Sequence, residues 1–243
     1  MYYFCNISTS VLSCFFARTS FFSTKSIWMS TKVRILETAL SQFNEYGLAN
    51  VSIRSISQAI AISPGNLTYH YKNIEAIVEA LYMQLVATFD QRIAQIHTVT
   101  VDMAYLMEQT RANMHTLFEY RFLLLDFPHV ARRIPTIQQH FHELVQSRLT
   151  QFALAFELLV AQDILQPERL PGTYKRLIYN LIIITNAWPS DSFLHFQGGY
   201  PPDKIIDFYT VQTAHMLLPY LTEKGQQDMY YFLRDLEAAD YPD

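Results

Sequence analysis

Residues 52–73 read SIRSISQAIAISPGNLTYHYKN, and two helix starts lie inside that stretch. Ser52 precedes Ile53, Ile56 and Ile60, an apolar spacing that suits a short helix, and a serine there bonds the free N–H groups of a first turn. Ser63 opens a second start, with Pro64 at the first helical position, where its missing N–H costs nothing. Ala61-Ile62 leaves room only for a tight turn between them. Two short helices joined in this way predict a helix-turn-helix pair, whose second helix lies in a DNA major groove with its N-terminal residues at base edges. That helix, Pro64 to about His70, offers Gly65, Asn66, Thr68, Tyr69 and His70, with Tyr71 and Lys72 following. Gly65 lets the backbone approach a phosphate closely, and the helix N-terminus favours an anion there. Asn66 and His70 carry groups that pair with base edges, whereas Thr68, Tyr69 and Lys72 suit phosphates. Arg54, in the first helix of the pair, joins the candidate DNA contacts.

Working outward, the pattern stays helical. Upstream, Val33, Leu36, Leu40 and Phe43 repeat at helical spacing, with Ser30 or Thr31 as N-cap and Gly47 as the stop. Downstream, Asn73 caps a long helix over 74–97 with an apolar face of Ile74, Ile77, Val78, Leu81, Leu85, Phe89, Ile93 and Ile96. At 1.5 Å per residue it is roughly 35 Å long, enough to join two lobes. Further helices are predicted near 101–119, 120–127 (stopped by Pro128), 135–161, 173–187, 203–218 and 224–238. Gln166-Pro167, Pro171-Gly172 and the run 198–202 are loops. No apolar–polar alternation persists long enough for a sheet. The expectation is an all-α chain, with a three-helix DNA-binding domain at 29–73 and a larger helical ligand-binding and dimerisation domain at 74–243.

Composition narrows the function classes. Half of the 243 residues are apolar and 16% are charged, which excludes a disordered acidic or basic tail protein. The six glycines are 47, 65, 172, 198, 199 and 225, so no glycine-rich phosphate loop is possible. The two cysteines, Cys5 and Cys14, leave residues 15–243 without a disulfide framework or a thiolate metal cluster. The net charge of −4 hides two signs. Residues 29–73 carry Lys32, Arg34, Arg54 and Lys72 against Glu37 and Glu45, whereas 74–243 hold 12 basic and 20 acidic side chains. A basic front on an acidic body suits a nucleic-acid partner for the front. Residues 1–28 carry Arg18 and Lys25 and no acid, with no steady period. No basic residue precedes Arg18, so they do not read as a secretory signal. They are read as a non-native or disordered leader, with translation starting at Met29.

The body is rich in methionine and aromatics. Met103, Met107, Met114, Phe118, Phe122, Phe156, Tyr179 and Trp188 suit the wall of a pocket for an apolar or amphipathic effector, and equally suit a plain helical core. Asn180 adds a polar group, because a buried amide must find partners. Residues 177–184 are apolar nearly all round, which fits core plus a dimer interface shared with 203–218. His140 and His142 point about 200° apart on a helix and cannot share an ion, so no metal site is expected. Arg132-Arg133 reads as a solvated helix end. No nucleophile–base–orienter trio is discernible, and neither catalysis nor a cofactor is expected.

Residues 53–59 (IRSISQA) and 63–73 (SPGNLTYHYKN), with the first-helix pattern of Ile35-Leu36-Glu37-Thr38-Ala39-Leu40, Phe43 and Tyr46-Gly47, resemble the DNA-binding domain of the tetracycline-repressor (TetR) family over about 31–85. Beyond that, only length, helicity and acidity agree. The resemblance implies a cytoplasmic homodimer that represses transcription at a palindromic double-stranded operator, with no membrane partner. A small molecule in the C-terminal domain shifts the fourth helix and releases DNA. The family usually has Tyr where this chain has Thr68, and Lys where it has Ile74, both positions that commonly contact phosphate. Each phosphate left without a partner flattens the salt dependence by about 0.9 in log–log slope. The rival implied by those departures is a same-fold ligand- or protein-binding module that has lost operator recognition.

Overall fold

The helices begin where the sequence supplies caps. Ser30 accepts the Val33 N–H at the start of α1 (Thr31–Tyr46), and Gly47, at φ 78°, ends it with its N–H on the Phe43 carbonyl. Ser52 and Ser55 form a reciprocal capping box at α2 (Ile53–Ala59), and Ser63 caps α3 (Pro64–His70) with Pro64 in the first turn. Asn73 Oδ1 accepts the Ala76 N–H at the start of α4 (Ile74–Gln95). Then follow α5 (Met103–Glu119), α6 (Arg121–Leu125), α7 (Phe127–Arg133), α8 (Pro135–Ala161), α9 (Thr173–His195), α10 (Pro202–Leu217) and α11 (Glu223–Arg234). This computed structural model describes residues 30–95, 102–196, 200–234 and 236. The leader over 1–28, the start at Met29, Ile96 and Gly198-Gly199 lie outside the described residues. Among those described there is no strand, only an isolated antiparallel bridge between Leu165 and Leu221.

Two proline readings are corrected. Pro128 does not stop a helix over 120–127: α6 ends at Leu125 and Pro128 sits in the first turn of α7, where a proline is tolerated. The helix expected to end at 187 runs on to His195 through Pro189. Trp188, Pro189 and Ser192 are buried there, and that packing outweighs the one backbone bond the proline removes.

One apolar core runs unbroken from the front of the molecule into the body. It takes in Ile35, Phe43, Ile56 and Leu67 from α1–α3, then Ile77, Leu81 and Leu85 of α4, and reaches Met114, Phe122, Trp188 and Ile206. Asn44 reinforces the junction: its Nδ2 donates to the Glu119 carbonyl at 2.6 Å, and its Oδ1 accepts the Phe122 N–H at 3.2 Å. Phe43 packs its ring against Phe122 at 4.9 Å. A second core at the far end joins Met103, Met107, Phe156, Leu177, Leu221 and Met229.

The helix expected to share a dimer interface with α9 also contributes heavily to the core of the single chain. α10 buries nine residues from Ile205 to Leu217, and its Asp207 takes an ion pair from Arg111 of α5 at 2.5 Å. Several apolar side chains are left in solvent on α8 and α9: Leu154, Leu158, Ile183, Phe193 and Leu194 are each more than half exposed. By length and composition alone α8 is also apolar enough to cross a bilayer.

Candidate nucleic-acid interface

The helix-turn-helix pair is fixed from inside and open outside. Leu67 is the only residue of α3 that is buried, at 0% exposure, and it pins the helix to the core. Gly65, Asn66, Thr68 and Tyr69 face solvent, Tyr69 at 86%, and Lys72 follows exposed. Arg54 is exposed on α2. Among the described residues no carboxylate lies within ion-pair reach of Arg54 or Lys72. A Cβ at residue 65 would meet nothing closer than Ser63 Oγ at 3.9 Å, so nothing within the chain demands glycine there. The missing side chain leaves room for something outside the chain.

Three of the expected contact residues are partly committed. The Thr68 hydroxyl donates to the Gly65 carbonyl at 3.1 Å. His70 is half-buried with its ring edge-on to Tyr69 at 5.3 Å. Tyr71 is half-buried against the core, its N–H closing α3 on Leu67, and burial pushes its phenol above the ordinary value. Ile74 also packs against the core.

Sequence reading missed what holds the turn. Arg34 of α1 donates from Nη2 to the Ile60 carbonyl at 2.8 Å, and Ala61 next to it takes the left-handed conformation at φ 56°. Gln42 locks α1 to α2 by donating to the Ser55 carbonyl and accepting the Ser55 hydroxyl. Arg34 therefore ties the turn to α1 through one of its N–H groups. No local signal marks it, because its partner lies 26 residues away.

Because α3 has seven residues and one buried anchor, its cap carries much of its stability. Ser63→Ala removes the acceptor of the Asn66 N–H. The expected cost is about 1 kcal/mol, or a fall in Tm of about 2–4 °C by circular dichroism.

The body residues expected to form a pocket divide between core and surface. Met103, Met107, Met114 and Trp188 are fully buried, Phe122 nearly so, and Phe118 packs against the first core. Trp188 lies between Phe118 and Tyr209, and among the described residues its Nε1–H has no hydrogen-bond partner. Phe156 and Tyr179 instead line a groove of about 790 Å³ between α8 and α9, with Leu149, Val160, Ile178 and Lys175. The buried amide expected at Asn180 is exposed. A smaller groove of about 390 Å³ runs between α1 and α4, past Val33, Leu40 and Gln84. Among the described residues no cluster of side chains is suited to a metal.

Comparison with known proteins agrees with this layout. The TetR family model described as "Bacterial transcriptional repressor" matches residues 68–229, and that described as "Bacterial regulatory proteins, tetR family" matches 35–81. The HTH-type transcriptional regulator UidR of Escherichia coli (strain K12) is 32% identical over 111 residues, which are 44% of this chain and 55% of UidR. The chain thus matches about half the length of that relative. A TetR-family transcriptional regulator from Marinobacter aquaeolei VT8 shares the fold with a TM-score of 0.76 at 21% identity, over 85% of this chain and 98% of that one. A transcriptional regulator from Saccharomonospora viridis, solved in complex with choline, shares it with a TM-score of 0.59 at 16% identity, over 79% and 97%.

Proposed function

The chain belongs to the TetR family of bacterial transcriptional regulators, and on that premise we propose that it is a repressor, binding a palindromic operator as a homodimer and released by a small apolar or amphipathic molecule. The observation that carries this reading is the outer face of α3, where Asn66 and Tyr69 are exposed, Lys72 follows exposed, and Gly65 leaves space for a phosphate. Residues 29–73 read DNA, and 74–243 bind effector and partner. The strip on α8 and α9 faces a second copy, which buries Leu158 and Ile183 about a two-fold axis. The two α3 helices must then reach half-sites about 34–36 Å apart. An effector that displaces α4 changes that spacing and weakens binding, a coupling of two sites through one rigid element. Inside the body, the unpaired Trp188 N–H is the donor that a ligand oxygen or nitrogen would satisfy.

A gel shift with DNA from the region upstream of the gene tests the reading. The wild type is expected to bind with an affinity that falls steeply with salt. Lys72→Ala is expected to weaken binding evenly across sequences and to reduce the log–log salt slope by about 0.9, the value for one phosphate no longer neutralised. Absence of any salt-sensitive shift on intergenic DNA from the source genome overturns the repressor reading. It leaves the same-fold binding module, to which the committed Thr68 hydroxyl and the packed Ile74 would then belong.

A further inference from the structure

Four side-chain bridges join α4 to the α7–α8 segment at an almost constant offset in sequence. Glu75 pairs with Arg133 at 2.5 Å, 58 residues on. Glu79 accepts the Thr136 hydroxyl at 2.6 Å, 57 residues on. Tyr82 Oη and His140 Nδ1 are hydrogen-bonded at 2.9 Å, and Asp90 pairs with Arg148, each 58 residues on. Because both numbers rise together, the two segments run in the same direction. On α4 the bridging residues fall on one helical stripe. The turn between Tyr82 and Asp90 is filled by Val86, buried in the same core against which Leu144, again 58 residues on, is packed. The ladder covers about 22 Å of α4 at 1.5 Å per residue.

Exposed ion pairs add little stability singly. Together they specify register. Sliding α4 by one residue turns every rung about 100° away from its partner. Sliding it one turn, about 5.4 Å, restores the stripe. In one direction Glu79 then meets Arg133, but Asp90 meets Leu144 and Arg148 meets Ala94. In the other, Val86 meets Arg148 and Asp90 meets Phe152. Only the present register pairs every rung, and Asp90–Arg148 discriminates it from both neighbours.

We propose that these rungs are positioning residues for DNA recognition, holding α4, and through it the reading head, in the register that fits the operator. The proposal rests on the repressor reading above, in which α8 is fixed by the partner copy and serves as the rail. The test uses full-length wild type, Asp90→Arg, Arg148→Asp and the doubly exchanged protein, in gel shifts on the upstream fragment with thermal unfolding in parallel. Each single reversal is expected to weaken binding about fivefold, and the exchange to restore it to within about twofold, the range found for residues that couple two sites. If a reversal unfolds the protein, Tyr82→Phe decides, since it removes only the hydroxyl on His140; about a threefold loss is expected. Wild-type binding with unchanged variants, or an exchange no better than the single reversals, overturns the ladder alone. A wild type that shifts no DNA overturns the repressor reading and the ladder with it.

Discussion

Gly225→Ala is expected to lower Tm by about 6–12 °C, corresponding to about 3 kcal/mol of overpacking in a chain of this size. Gly225 is buried in the first turn of α11, in ordinary helical conformation. On an exposed helix the same change would stabilise by about 1 kcal/mol, because alanine favours helix over glycine. Here the added Cβ would stand 2.3 Å from the Ile164 carbonyl oxygen and 3.2 Å from its carbon and Cγ2. That carbonyl cannot retreat freely, since it accepts the Thr222 N–H at 3.0 Å and the Thr222 hydroxyl at 3.2 Å. Its neighbour Leu165 is bridged to Leu221. The helix must shift away from the second core, taking Met229 with it. Thermal unfolding by circular dichroism measures the effect; an unchanged or raised Tm would show that α11 is not seated on Ile164.

In the proposed dimer, the combined change Leu158→Asp and Ile183→Asp is expected to leave a monomer of 28.3 kDa and to abolish the proposed operator shift. A two-fold interface presents each substitution twice, so four carboxylates would enter an apolar contact. Each unpaired charge is expected to cost several kcal/mol or to remain hydrated by keeping the subunits apart. The dissociation constant should rise by about a thousandfold or more, since each 1.4 kcal/mol is tenfold. Both residues are more than half exposed in the single chain, so its own stability should change little. Sedimentation velocity over a concentration series reads the outcome, with unfolding as the control. A dimer that persists would place the contact elsewhere than on α8 and α9.

How much of this was legible in the sequence depended on whether the determining contact was local. Ser52, Ser63 and Pro64 act within three residues of their partners, so the short helices of the head are readable from spacing alone. Periodicity also gave Ile77, Val78, Leu81 and Leu85 of the buried face of α4, but not Tyr82 and Val86, which are buried beside them. It was less exact for α1, where Val33 is 39% exposed and Ile35 and Ala39 are buried in its stead. Pro128 and Pro189 misled because a proline signals a boundary without saying whether it lies before a helix, after it, or within a well-buried one. The apolar run 177–184 reads as buried nearly all round, yet within the chain only Leu177 and Ile178 are buried while Tyr179 and Ile183 stay exposed, because composition does not say which neighbour covers each face. Arg133, taken for a solvated helix end, pairs with a carboxylate 58 residues away, and no local pattern encodes that distance.

Asn44 has a practical consequence for exchanging parts between relatives. α6 has no side-chain cap of its own, and the amide that serves its first turn comes from α1, 78 residues earlier in the chain. A graft that joined a foreign head at residue 73 and lacked an amide at this place would leave the Phe122 N–H and the Glu119 carbonyl without that partner. Head and body are therefore not interchangeable modules, even though a single helix joins them. A chimera that keeps its wiring must carry both sides of this joint.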